Sequence, residues 1–217
     1  GQGLITTEGN QTVLGKYNNP LYWGNIRLVV GSGIDNDNKM NLLVLQEGAG
    51  LRVRGTCENG TDYIGDFGEY FEWLDGNPDN EDRIGYMVQL NGNKIELAQS
   101  IENCIGVISG ACSFLSGSCS LDWHGRFLRD KFGRYLKDEN GNPIVNPDYN
   151  PELEYIPREQ RKEWDAVGLV GQIITRQDGT LEVGGYAGCN NGIATNATRG
   201  FKVLKIIDNE AALLLVK

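Results

Sequence analysis

One histidine, His124, and no two cysteines spaced as CxxC leave little from which to build a Cys/His zinc cluster. The five cysteines (Cys57, Cys104, Cys112, Cys119 and Cys189) are an odd number, so they do not close a disulfide framework. They read as reduced thiols of a protein made in a cytosol. Basic residues are short: 20 against 29 acidic ones give a net charge of −9. That balance, with a pI near 4.7, argues against a nucleic-acid-binding surface. Long apolar runs are missing too. The longest, residues 211–216, is strand-sized and far below the ~18 residues that span a bilayer, and no charged-then-apolar leader opens the chain. No membrane insertion is expected. Gly31-Ser32-Gly33 has no Lys-Ser/Thr after it, so a phosphate loop is unsupported and no cofactor is expected. Glycine is plentiful: 30 of 217 residues, without the Gly-X-Y period of collagen.

Residues 1–55 read as short strands, at 4–7, 12–14, 26–30 and 41–45, separated by glycine- and asparagine-rich breaks. So thin a segment cannot bury a sizeable core of its own and should borrow surface from a neighbouring domain or from copies of itself. Charge is nearly even through Gly65, with five basic and six acidic residues, so the acidity belongs to the rest. Further on, 85–98 reads as a hairpin turning at Asn91-Gly92-Asn93. Strands are expected at 104–108, 166–175, 180–184, 201–207 and 212–216. The best helix candidate is 157–164, with Pro157 in its first turn. The fold class expected is mainly β, with one or two short helices.

The densest chemistry lies at 66–82, where seven acidic residues occur with no basic one. Carboxylates beside Tyr70, Phe71 and Trp73 should titrate unequally, because apolar surroundings and neighbouring negative charge favour the neutral acid. Such a division suits acid–base attack on a peptide bond, although composition alone favours a solvated acidic loop with its aromatics in the core. Asp75, Asn77, Asp79 and Glu81 alternate as oxygen donors for Ca²⁺ would. The glycine is misplaced for an EF-hand, so a turn is expected there and no metal. Arg126, Arg129 and Arg134 are candidates to neutralise the acidic loop of the same or a neighbouring subunit, with a solvated strand face as the equal alternative.

Several longer stretches in order carry a resemblance. They are Asp66-Phe67-Gly68-Glu69-Tyr70-Phe71-Glu72-Trp73, Asp75-Gly76-Asn77-Pro78, Trp123-His124-Gly125-Arg126-Phe127-Leu128-Arg129-Asp130, Asn146-Pro147-Asp148-Tyr149 and Glu163-Trp164-Asp165-Ala166-Val167-Gly168-Leu169. Together they resemble the phage-type intramolecular chaperone autoproteolytic domain, peptidase family G2, from Asp66 to the end. Residues 1–55 more weakly resemble the glycine-punctuated β stalks of tailspike, neck-appendage and adhesin-like fibre proteins.

The resemblance implies a division into a stalk or linker at 1–65 and the chaperone domain at 66–217. It implies a homotrimer whose other partner is the upstream fibre or spike region of the same polypeptide, made in a bacterial cytoplasm and destined for a virion or cell surface. It also implies single-turnover self-cleavage of the glutamic type at Gly65–Asp66, with Glu69 catalytic, Asp66 assisting and Glu72, Arg126 and Arg129 in support. Gly65 stands where a serine can occur, so a serine-based acyl shift from that residue is unavailable and attack by water is expected. A turn or bulge at Gly68 would fold Glu69 back toward the bond. The alternative is a structural trimerisation module or receptor-binding tip that does not cleave.

Overall fold

The structure, a computed structural model, describes residues 2, 4–6, 11–16, 26–32, 35–37, 41–46, 50–53, 65–119 and 123–217. The chain divides into two units, Gly1–Gly60 and Thr61–Lys217. The first holds a sheet of β1 (Thr12–Lys16), β2 (Ile26–Ser32), β3 (Asn41–Gln46) and β4 (Gly50–Val53) in that spatial order. β1 runs parallel to β2 and the other pairs are antiparallel. Among the described residues its core is Ile26 and Val29 with Val13 packed on them, a very small apolar centre. Residues 4–6 are not a strand, and Thr7 and Cys57 lie outside the described residues.

The second unit contains β5 (Asp66–Glu72), β6 (Met87–Asn91), β7 (Lys94–Leu97), β8 (Cys104–Ile108), β9 (Phe114–Ser116), β10 (Trp164–Arg176), β11 (Tyr186–Asn190), β12 (Ile193–Ala197), β13 (Phe201–Ile206) and β14 (Ala211–Val216). Its sheet runs β12-β11-β13-β14-β10-β8-β6-β7, with β5 paired to β10 and β9 paired to β5. The long β10 organises the unit: its end pairs with β14, its beginning with β5, and Val167 and Gly168 with β8. Because side chains alternate across a strand, β6 and β8 feed two cores. Met87 and Val107 join a cluster with Ile173, Val203 and Leu214, while Val88 and Ile108 join Trp73, Ile95 and Val167. Sheet burial on both faces explains why 104–108 is apolar without alternation.

The protein is β-rich, as expected, and the hairpin turns at the expected asparagine–glycine step, with Gly92 at φ +65°. Two expectations fail in the second unit. The helix at 157–164 is a single 3-10 turn, Arg158–Gln160, because Arg161 is extended and Trp164 is already drawn into the β10–β5 ladder. Good helix formers do not suffice when so short a segment has a strand to join. Residues 180–184 form no strand; Leu181 is buried, but the chain turns at Gly184 (φ +81°).

Between these strands, residues 126–149 form a projecting unit with pseudo-threefold hydrogen bonding. Leu136 N–H donates to Leu128 C=O, Ile144 N–H to Leu136 C=O and Leu128 N–H to Ile144 C=O, closing a ring at eight-residue intervals. Asp130 and Asp138 each accept the backbone N–H groups two and four residues on, and Asn146 accepts that of Asp148. These Asx turns replace a strand ladder as the source of local order.

Candidate functional site

Gly65–Asp66 is the bond at which the chain enters β5. The Gly65 carbonyl oxygen accepts a hydrogen bond from the Gln172 N–H at 3.2 Å. Gly171, opposite Asp66 in the ladder, has φ +127°, and a β-carbon there would lie 2.5 Å from that same carbonyl oxygen. Only glycine therefore lets β10 present the Gln172 N–H to this carbonyl. An N–H already aimed at a peptide oxygen is the arrangement that stabilises negative charge when the carbonyl carbon is attacked.

Asp66 is buried, with 2 % of its surface exposed. Its Oδ2 accepts from the Cys112 thiol at 3.2 Å, and its Oδ1 accepts from the Ser113 N–H at 3.2 Å. The same N–H reaches the Asp66 carbonyl oxygen at 3.1 Å. Burial, with Asp66 beside it, pushes the Cys112 thiol up to about 12. A cavity of about 270 Å³ opens on Asp66, lined also by Ile84, Ser109, Ala111, Gln172 and Ile174.

Glu69 is exposed and belongs to the other face of β5, with Phe67, whose ring stacks on Phe114 at 4.8 Å. Three residues of strand put it roughly 10 Å along from Asp66. Its side chain runs beside Gly117, whose carbonyl accepts from Arg158. Gly68 carries no bulge. β5 is regular, and the irregularity lies opposite, between Gly168 and Val170. The two carboxylates singled out in the sequence therefore share a strand but not a face.

Glu72 ends the strand in an ion pair with Lys94 (2.7 Å). Arg126 and Arg129 lie in the projecting unit, Arg126 over Tyr149 and Arg129 over Tyr135. The acidic turn is neutralised instead by Arg83, which bridges Asp75 and Glu81 and covers the Trp73 ring at 4.4 Å. Hydrogen bonds from Arg83 hold Asp75 below the usual carboxylate range. Asp165, beneath the turn and accepting from the Trp73 indole at 2.7 Å, is pushed up by burial. Asp75 and Asp165, the latter outside 66–82, are thus shifted in opposite directions. Asp75 Oδ1 and Asn77 Oδ1 also accept backbone N–H groups, which makes the alternating acids a hydrogen-bonded turn.

Cys112, Ser113, Gly171 and Gln172 were not marked by the sequence. Their link to Gly65 and Asp66 exists only through long-range pairing, across 46 residues or more.

The profile of the family described as Peptidase_G2, IMC autoproteolytic cleavage domain, matches residues 3–211. That match reaches well upstream of Asp66. The pre-neck appendage protein of Bacillus phage B103 is 39% identical over 158 residues, covering 69% of this chain and 18% of that protein. A phage-related protein of Bacillus subtilis strain 168, YobO, is 41% identical over 155 residues, covering 66% of this chain and 19% of that protein. The chain thus spans about a fifth of the length of these relatives. Among solved structures, the pre-mature bacteriophage phi29 gene product 12 is similar with a TM-score of 0.75 and 34% identity, over 87% of this chain and 26% of that one. The phi29 gene product 12 C-terminal fragment is similar with a TM-score of 0.59 and 38% identity, over 70% of this chain and 100% of the fragment.

Proposed function

The chain belongs to the Peptidase_G2 family of autoproteolytic cleavage domains, and from that we propose that residues 66–217 draw three copies together and then cut themselves away at Gly65–Asp66. Water attacks the Gly65 carbonyl carbon and yields a proton to Glu69; a C–O bond forms, the C–N bond breaks, and the Asp66 nitrogen takes that proton and leaves as an amine, with Gly65 ending in the new carboxyl group. The Gln172 N–H meets the charge that develops on the Gly65 oxygen. Glu69 is the general base and Asp66 assists at the leaving nitrogen.

The observation that carries this reading is the division of β5 between its faces. One chain buries the Asp66 carboxyl on one face of β5, while its own Glu69 points from the other, exposed face. Assembly brings the Glu69 of a neighbouring copy to the bond, so the cut waits for the trimer.

The small core of the first unit and the exposed Phe132, Val145 and Leu153 in and beside the projecting unit support association with further copies. Trimerisation first supplies register, since bringing three separate chain ends together is the slow, entropically costly step. Removal afterwards leaves the upstream region held by a high unfolding barrier. The upstream region would belong to a neck-appendage-like fibre.

Mass in solution and on a denaturing gel, followed over time at several dilutions, tests the order of events. Trimer is expected before fragments, and dilution is expected to delay both. Efficient cleavage in a proven monomer contradicts the ordering, and a trimer that stays intact identifies a structural module instead.

A further inference from the structure

We propose that Cys112 and Ser113 are positioning residues for the cut, the thiol fixing the Asp66 carboxyl and the serine hydroxyl holding the attacking water beside Gly65. The inference rests on Gly65–Asp66 being the bond that is cut.

The thiol–carboxyl contact occupies a space that two glycines keep clear. Gly68 and Gly168 face one another in the β5–β10 ladder. A β-carbon on Gly68 would stand 2.3 Å from the Cys112 sulfur, and one on Gly168 would stand 2.5 Å from Asp66 Oδ2. Side chains are thus excluded from both strands where the S–H···Oδ2 bond lies. The thiol remains protonated across the physiological range and serves as a donor throughout. The next residue holds the other carboxyl oxygen through its N–H. Asp66 is therefore gripped from both oxygens by consecutive residues, and its carboxyl is fixed relative to the peptide nitrogen it assists.

The Ser113 hydroxyl remains. Its Oγ is buried and has no hydrogen-bond partner among the described residues. It lies 3.4 Å from the point where a side chain on residue 65 would begin. A buried hydroxyl without a partner is costly, and one kept beside a reacting bond has a reason to be there. A β-carbon on residue 65 would meet no described side chain but Ser113 within 4 Å, so glycine there leaves space for a water to reach this oxygen beside Gly65. The hydroxyl takes no part in covalent chemistry; it orients the water whose proton passes to the base.

The whole chain tests this. Cys112→Ala and Ser113→Ala are each expected to slow the cut about 100-fold, the scale of a small misplacement of reacting groups. Cys112→Ser and Ser113→Thr, which leave a hydroxyl donor at each place, are expected to recover most of the rate. Trimer yield and melting temperature are measured alongside. A merely structural thiol would leave the serine and alanine variants equally slow, and that result overturns the proposal for Cys112. Alanine variants that cut at the parental rate overturn it for either residue. If the parent itself is not cut at 65–66, the reading of the bond fails and this inference falls with it. If the parent is cut and the alanine variants match it, only the inference fails.

Discussion

Glu69→Gln is expected to slow cleavage at Gly65–Asp66 by about 10²- to 10⁴-fold, the range for loss of a general base. Trimer formation should be unchanged, because Glu69 is exposed and the cores of its unit do not use it. The variant also reports where the base comes from. With Glu69 on the opposite face of β5 from Asp66, a tagged Glu69→Gln chain co-expressed with parental chains should be cut within mixed trimers. If the tagged chain alone stays whole in those trimers, each Glu69 serves its own bond. If the variant cuts at the parental rate by itself, Glu69 is not the base.

Gly171→Ala has the second large expected effect. At φ +127° an alanine is strained, and its β-carbon would sit 2.5 Å from the Gly65 oxygen and 2.7 Å from the Asp66 α-carbon. β10 must then move away, and with it the Gln172 N–H. Loss of one such donor slows acyl chemistry by about 10²- to 10³-fold, and the backbone strain costs about 1–3 kcal/mol. A time course and a thermal melt separate the two effects. A Gly171→Ala chain that is less stable but cuts at the parental rate would remove Gln172 from the reaction.

Much of the β architecture was legible because it rests on local pattern. The apolar run at 211–216, the asparagine–glycine turn after β6 and the apolar 104–108 each fix a strand or hairpin. The acidic stretch was legible as chemistry but not as a strand. Its charges mask the alternation that sends Asp66 and Gly68 inward and Phe67 and Glu69 outward. The period of eight in 126–149 was visible in Gly125, Gly133 and Gly141 and in Asp130, Asp138 and Asn146. It signals neither a strand nor a helix, because the unit obeys neither period. The partners of Asp66 could not be read at all. Cys112, Ser113 and Gln172 meet the bond only because β9 and β10 flank β5, and no local spacing encodes that.

Intact-mass spectrometry of the purified, aged chain tests self-cleavage most directly. The expected product begins at Asp66, contains 152 residues and weighs ~17 kDa, a proportional share of the full mass at average residue composition. The complementary piece should end at Gly65. A cut at any other bond, or a trimer that stays at 23.9 kDa per chain, would contradict it.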